Sequence, residues 1–194
     1  MINISIYIVP TIAVLCLFGC KSDDEIELEP QSEHADFEDR VLTCKKLLDD
    51  VNRFEVCRPV NWEVAETKDL TLHIREPFDY SSEKPLRTNF TVEIFEARTV
   101  DQVLDSLLFT WDSMYKNYET VKLDTINDPN KISIYSMGEL KISIFWIKAK
   151  WRVDLINCRD NVFKLTSLTS QDKWESSFWM INQIFESFEI LDDL

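Results

Sequence analysis

NFTVEIFEARTVDQVLDSLLFTWDSMYKNY, residues 89–118, changes its apolar period part-way along. Phe90, Val92 and Ile94 alternate with polar neighbours, the spacing of a strand buried on one face. From residue 99 the period becomes that of a helix. Thr99 and Gln102 stand three apart, as in a capping box, and Val100, Val103, Leu107, Leu108, Trp111, Met114, Tyr115 and Tyr118 form one apolar stripe. A strand feeding directly into an amphipathic helix, with strand-like runs on either side, predicts an α+β domain.

Working outward towards the C-terminus, strands are expected at 119–125, 131–137, 140–156 and 161–169. A closing helix over about 171–187, with Ser170 as its cap, would bury Trp174, Phe178, Ile181, Phe185 and Phe188. Within 140–156 the apolar residues Ile142 and Ile144 share one phase, whereas Ile147, Ala149, Trp151, Val153 and Leu155 share the other. The slip at Phe145-Trp146 predicts a β-bulge, and the outward set beyond it is Lys148, Lys150 and Arg152. Towards the N-terminus, Leu70, Leu72 and Ile74 alternate with Thr71, His73 and Arg75, a half-buried strand. Residues 77–88, with two prolines, read as a loop, and Phe54–Pro59 as a strand stopped by proline, followed by Val60–Val64. Phe37, Val41, Cys44, Leu48 and Val51 fall at helical spacing, so a helix over about 38–51 is expected, with an extended segment as the alternative.

Three short motifs in this order resemble the PsbP-like fold: Pro59-Val60-Asn61-Trp62, Asn89-Phe90-Thr91-Val92 and Phe185-Glu186-Ser187-Phe188. The resemblance covers about residues 54–190, and the DcrB-like lipoproteins, the Ran-binding Mog protein and adaptor proteins of type VI secretion share the fold. It implies an antiparallel sheet with helices on both sides, and binding of proteins rather than catalysis. It carries over no defined active site. Asn61 stands where relatives have glycine, and the turn is expected to survive because asparagine tolerates the left-handed conformation.

The first twenty residues carry an address. Residues 2–19 contain no charged side chain, and Leu17-Phe18-Gly19-Cys20 resembles the lipobox of bacterial lipoprotein signal peptides. The resemblance implies cleavage between Gly19 and Cys20 and a diacylglyceryl thioether on Cys20, so that 1–19 is a signal peptide. An uncleaved N-terminal anchor is the alternative reading. Lys21, rather than an aspartate, follows the cysteine, which in the family's sorting pattern implies the outer membrane, facing the periplasm. Residues 20–40 then form a tether, with nine acids against two bases in 21–40, too polar to bury a core and self-repelling. The single α+β domain is expected over 41–194.

The chain carries a net charge of −14 over 194 residues, and half of that excess lies in the tether. The acidity excludes nucleic acid as a partner, since a phosphate backbone repels such a surface. With two glycines in all, Gly19 and Gly138, no glycine-rich phosphate cradle exists. Neither a cofactor nor a metal is implied. Asp23-Asp24-Glu25 and Asp192-Asp193 are charge runs without Ca²⁺-loop spacing, and the thiols lack zinc-site spacing.

Three cysteines remain in the domain: Cys44, Cys57 and Cys158. An oxidising compartment favours one disulfide and one thiol. Cys44–Cys57 would close a short loop and stabilise by about 3 kcal/mol in the chain-entropy model, and Cys57–Cys158 is the competing pairing. A catalytic triad would have to use His73, placed on the outward phase of its strand, and no catalytic residue is expected. The better candidate site is the basic strand face: Lys148, Lys150 and Arg152, joined by Trp146 and Arg75, facing a carboxylate-rich partner or a lipid head group. Cross-strand pairing of these bases with Glu93 or Glu96 is the competing structural use. The reading is a lipid-anchored, non-catalytic module of the cell envelope that binds another protein, in a maintenance or chaperone-like role. The alternatives are an immunity protein that occludes a toxin's basic cleft, and a hydrolase or metal-binding protein built on His73.

Overall fold

Alternation and helical period together produce two antiparallel sheets and two helices. The computed structural model describes residues 42–68, 70–78, 86–124 and 130–191. Gly19, Cys20 and the stretches expected to form the signal peptide and the tether lie outside them. In chain order the elements are β1 Cys44–Asp49, β2 Phe54–Pro59, β3 Glu63–Val64, β4 Leu72–Arg75, β5 Asn89–Glu96, α1 Val100–Met114, β6 Lys116–Asp124, β7 Lys131–Ile142, β8 Phe145–Cys158, β9 Asn161–Ser170, α2 Trp174–Glu186 and β10 Glu189–Ile190. The large sheet runs β3-β4-β5-β9-β8-β7-β6, the small one β1-β2-β10, and every pairing is antiparallel. This is the α+β class the sequence predicts.

Strand alternation divides the apolar residues of the large sheet between two cores. On one face, α1 seats Val103, Leu107 and Trp111 against Ala149, Trp151, Val153 and Ile134. On the other, α2 and the small sheet seat Ile181, Ile184, Phe185, Phe54 and Val56 against Phe90, Val92, Phe163 and Leu165. The capping box of α1 forms as predicted: the Gln102 amide donates to Thr99 Oγ1 and the Thr99 amide to Gln102 Oε1. The helix stops at Met114, yet Tyr115 and Tyr118 keep their place in the stripe by stacking on Trp151, with ring centroids 4.3 and 6.0 Å away. Gly138 makes this possible, because a Cβ there would stand 3.2 Å from the Trp151 ring and 3.4 Å from Tyr115 Cβ.

Several expectations are corrected. The helix expected over 38–51 is, from residue 44, the strand β1, paired along its whole length with β2 and tied to it by the Cys44–Cys57 disulfide, Cα atoms 5.6 Å apart. Leu47 packs on the core, while Leu48 and Val51 of the supposed helical stripe are 57% and 89% exposed. The bulge expected at Phe145-Trp146 is a hairpin: Ile142 pairs with Phe145 across the two-residue loop Ser143-Ile144, whose first residue is left-handed (φ 56°). The left-handed conformation expected at Asn61 does not occur. Its turn closes through the Trp62 amide to the Pro59 carbonyl (3.0 Å) without a positive φ, and such values fall instead on Arg53, Ala97, Asn117, Ser143 and Arg159. Ser170 takes the N-cap position of a 3-10 turn, Gln171–Lys173, that precedes α2 at Trp174, but its hydroxyl makes no capping bond.

Candidate basic-aromatic face

The even-numbered residues of β8 point towards α2 and the odd-numbered ones towards α1, so Trp146, Lys148, Lys150 and Arg152 share one side of the sheet. They do not share one environment, because α2 crosses only part of that side. Arg152 lies beneath the helix, 7% exposed. Its Nε and Nη2 donate to the Asp154 carboxylate at 3.0 and 2.9 Å, its Nη1 donates to Asn182 Oδ1 at 2.7 Å, and its guanidinium covers the Phe185 ring at 4.3 Å. Lys131 reaches the same carboxylate at 2.7 Å. Arg152 is therefore the centre of a buried ion cluster and does not belong to the exposed set in which the sequence places it. Tyr135 lies beside it, and burial raises its phenol above the ordinary value, with the Arg152 charge pulling the other way.

Arg75 is a second correction. It sits on β4, with β5 and β9 between it and β8, and shares the Glu63 carboxylate with Arg87 at 3.3 and 3.1 Å. Nor do the bases of β8 pair with Glu93 or Glu96. β9 stands between the two strands, and Glu93 pairs with Lys164 of β9.

Lys148 and Lys150 do lie on an accessible face, with partners the sequence did not disclose. Lys122 of β6 approaches across β7, and α2 contributes Trp174 and Phe178. Val121, Lys122, Tyr135, Ser136, Lys150, Trp174 and Phe178 line a groove of about 250 Å³. Its floor is aromatic, and the amines of Lys122 and Lys150 stand 5.8 and 6.0 Å from the Tyr135 and Trp174 ring centroids. Both amines also have acid neighbours at the rim, Asp124 at 3.1 Å and Glu175 at 3.4 Å. Such rim pairs are exposed and weak, so they yield readily to a competing carboxylate. Lys148 is exposed, opposite Glu139. Trp146 is further out, at the end of the β7–β8 hairpin, with the amines of Lys116 and Lys141 5.8 and 6.0 Å from its ring. Lys116 and Lys122 come from β6, more than twenty residues away, and only the pairing of β6, β7 and β8 gathers them, whereas Lys141 meets Trp146 across the β7–β8 hairpin. A signal was nonetheless present: Lys141 and Lys131 bracket the β7 run in the phase opposite to its isoleucines.

His73 occupies β4, half-buried rather than outward and solvated. Burial first, then the positive charges of Arg75 and Arg87, lower its pKa, which favours the neutral imidazole. Its Nδ1 is buried without a hydrogen-bond partner among the described residues, and the ring borders a cavity of about 580 Å³ with Glu66, Thr67 and Lys68. Among the described residues no group of three or more His, Cys, Asp or Glu side chains is arranged to hold a metal ion. Cys158 is a free, partly buried thiol.

The two-sided antiparallel arrangement is the PsbP-like, Mog1-like fold. Among solved structures the chain is similar to the Ran-binding protein Mog1p of Saccharomyces cerevisiae, with a TM-score of 0.57 and 12% identity over 78% of this chain and 97% of that one. It is similar to the cyanobacterial PsbP of Synechocystis, with a TM-score of 0.53 and 12% identity over 78% and 94%. It is also similar to LpqN of Mycobacterium tuberculosis, described as involved in cell envelope biogenesis, with a TM-score of 0.52 and 11% identity over 80% and 95%. At this identity the likeness is one of fold. No family model matches the sequence, and no curated protein matches it.

Proposed function

We propose that this chain is a lipid-anchored, non-catalytic protein of the bacterial cell envelope that binds another protein through the face carrying Lys148 and Lys150. One observation carries the reading: an acidic protein gathers Lys122 and Lys150 around a groove floored by Tyr135, Trp174 and Phe178, with Lys148 two residues from Lys150 on the same side of β8. Exposed amines over aromatic rings suit a partner that presents carboxylates beside an apolar side chain. The amines steer encounter and fix orientation, and the aromatic floor supplies burial. The fold likeness is consistent with this, since Mog1p is a Ran-binding protein and LpqN belongs to envelope biogenesis. The lipobox-like Leu17-Phe18-Gly19-Cys20 supports periplasmic exposure at a membrane, and the acidic residues 21–40 serve as a spacer.

The test is capture of envelope proteins by the full chain and by two variants. Lys148→Glu/Lys150→Glu is expected to lower recovery of a specific partner by about tenfold or more, with His73→Ala unaffected. If His73→Ala removes a measured activity while the lysine reversals change nothing, the binding reading fails and a hydrolase built on His73 takes its place.

A further inference from the structure

The β7–β8 hairpin outruns the sheet that supports it. The first β6 residue paired to β7 is Lys116, opposite Glu139, and the last β9 residue paired to β8 is Ser170, opposite Ala149. Beyond those pairs the strands from Leu140 to Lys148 pair only with each other among the described strands, while Leu140, Ile142 and Ile147 still pack against the core under α1. Phe145 therefore projects about 13 Å past Ala149, at the usual rise of a strand. At the end of this arm three consecutive large apolar residues face solvent: Ile144 is 79%, Phe145 61% and Trp146 48% exposed. Lys141 pairs in register with Trp146, and the Lys116 amine approaches the same ring. From Met137 to Lys150 the single acid is Glu139, at the base of the arm.

We propose that this arm docks into the interfacial layer of an anionic lipid bilayer. Ile144, Phe145 and Trp146 enter between the head groups, and Lys116 and Lys141 contact lipid phosphates. Geometry selects this occupant. Consecutive strand residues point to opposite sides, so Phe145 and Trp146 present apolar surface on opposite faces of the ribbon. A rigid partner laid on one face leaves the other wet, whereas a fluid layer closes around both. An indole suits head-group depth, apolar side chains are buried there to about 5–10 Å, and amines beside them match the negative surface potential. The inference goes beyond the partner reading: the groove at Lys150 lies nearer the body of the domain and stays open when the tip is immersed.

Quenching of tryptophan fluorescence by bromine-labelled acyl chains tests the proposal, using the full chain reconstituted into vesicles of phosphatidylcholine alone or mixed equally with phosphatidylglycerol. Trp62, Trp111, Trp151 and Trp174 are buried, whereas Trp179 on α2 is partly exposed, so the component assigned to the arm is the quenching lost in Trp146→Phe, with Trp179→Phe as the control expected to leave it in place. It should appear with phosphatidylglycerol, be lost in Phe145→Asp, and weaken about fivefold in docked-to-free ratio for each of Lys116→Gln and Lys141→Gln. Trp146, Phe145, Lys116 and Lys141 all lie on the arm or the sheet edge, and unchanged thermal melting shows that the variants fold. Equal quenching in wild type and Trp146→Phe would overturn the proposal, as would quenching indifferent to phosphatidylglycerol and to both lysines. A lipid-free dimer abolished by Phe145→Asp would overturn it too, by showing that a second copy covers the tip. Because all variants share one anchorage, the result is independent of how residues 1–20 attach the chain, which palmitate labelling of Cys20 reports separately.

Discussion

A guanidinium held under a helix has to be neutralised where it lies, and for Arg152 the carboxylate of Asp154, two residues along the same strand, does this. The side chain of Asp154 is fully buried between Arg152 and Lys131. Removing it leaves one buried cation unpaired, so Asp154→Ala should destabilise by about 3–5 kcal/mol. The double replacement Arg152→Met/Asp154→Leu should recover most of that loss, because Lys131 is partly exposed and its amine can turn to solvent. Urea unfolding midpoints of the wild type and the two variants check both. This residue also marks a limit of reading by phase. Alternation correctly put Arg152 on the same side of the sheet as Lys148 and Lys150, but alternation specifies a side and not what lies on it. Whether a strand base is solvated or entombed depends on where α2 crosses, and that is set by apolar contacts some thirty residues further on.

At the scale of elements, β1 is held to the rest of its small sheet by pairing with β2 and by the Cys44–Cys57 disulfide. Its side chains are largely exposed, so little burial compensates when the link is lost. Cys44→Ser is expected to lower unfolding free energy by about 3 kcal/mol, whereas Cys158→Ser, at a free thiol, should change it far less. Thermal melts with and without reductant make the comparison, and only variants that retain the disulfide should respond to reductant. The same element shows why the helix expected there failed. Cys44 and Leu48 are four apart, an even spacing that puts them on one face in a strand as well as in a helix, so the pattern could not choose. The β7–β8 hairpin was misread for a related reason. Ile142 pairs with Phe145, so the inward set passes from even to odd numbers at the turn, as it would at a bulge, and Ser143-Ile144 carries no Gly, Asn or Asp of the kind two-residue hairpin loops favour. By contrast the start and inner face of α1 were legible because the capping box and apolar stripe are local signals, whereas its end was not: Tyr115 and Tyr118 lie beyond the helix and Met114 is exposed.

For the whole molecule, charge is distributed unevenly along the chain. Residues 21–40 hold half of the acidic excess, so the lysine-rich side of β6–β8 belongs to a domain more nearly balanced than the total of −14 suggests. If Cys20 carries the lipid, Cys20→Ser should leave the precursor uncleaved and without palmitate label. Normal processing of that variant, read by gel mobility and radiolabel, would remove the anchor from the proposed function. Sequence alone determined the α+β class, the two amphipathic helices, most strands and both cysteines of the disulfide as candidates. Each of these follows from periodicity or chemistry within a few neighbouring residues. Only the tertiary structure decided which bases stay exposed, that Arg75 and Arg152 leave the site, and that Lys116, Lys122 and Lys141 enter it. It also decided that an apolar hairpin tip projects past its neighbours. Those outcomes depend on the register of strands distant in the chain and on the path of α2 across them, and no local pattern encodes either.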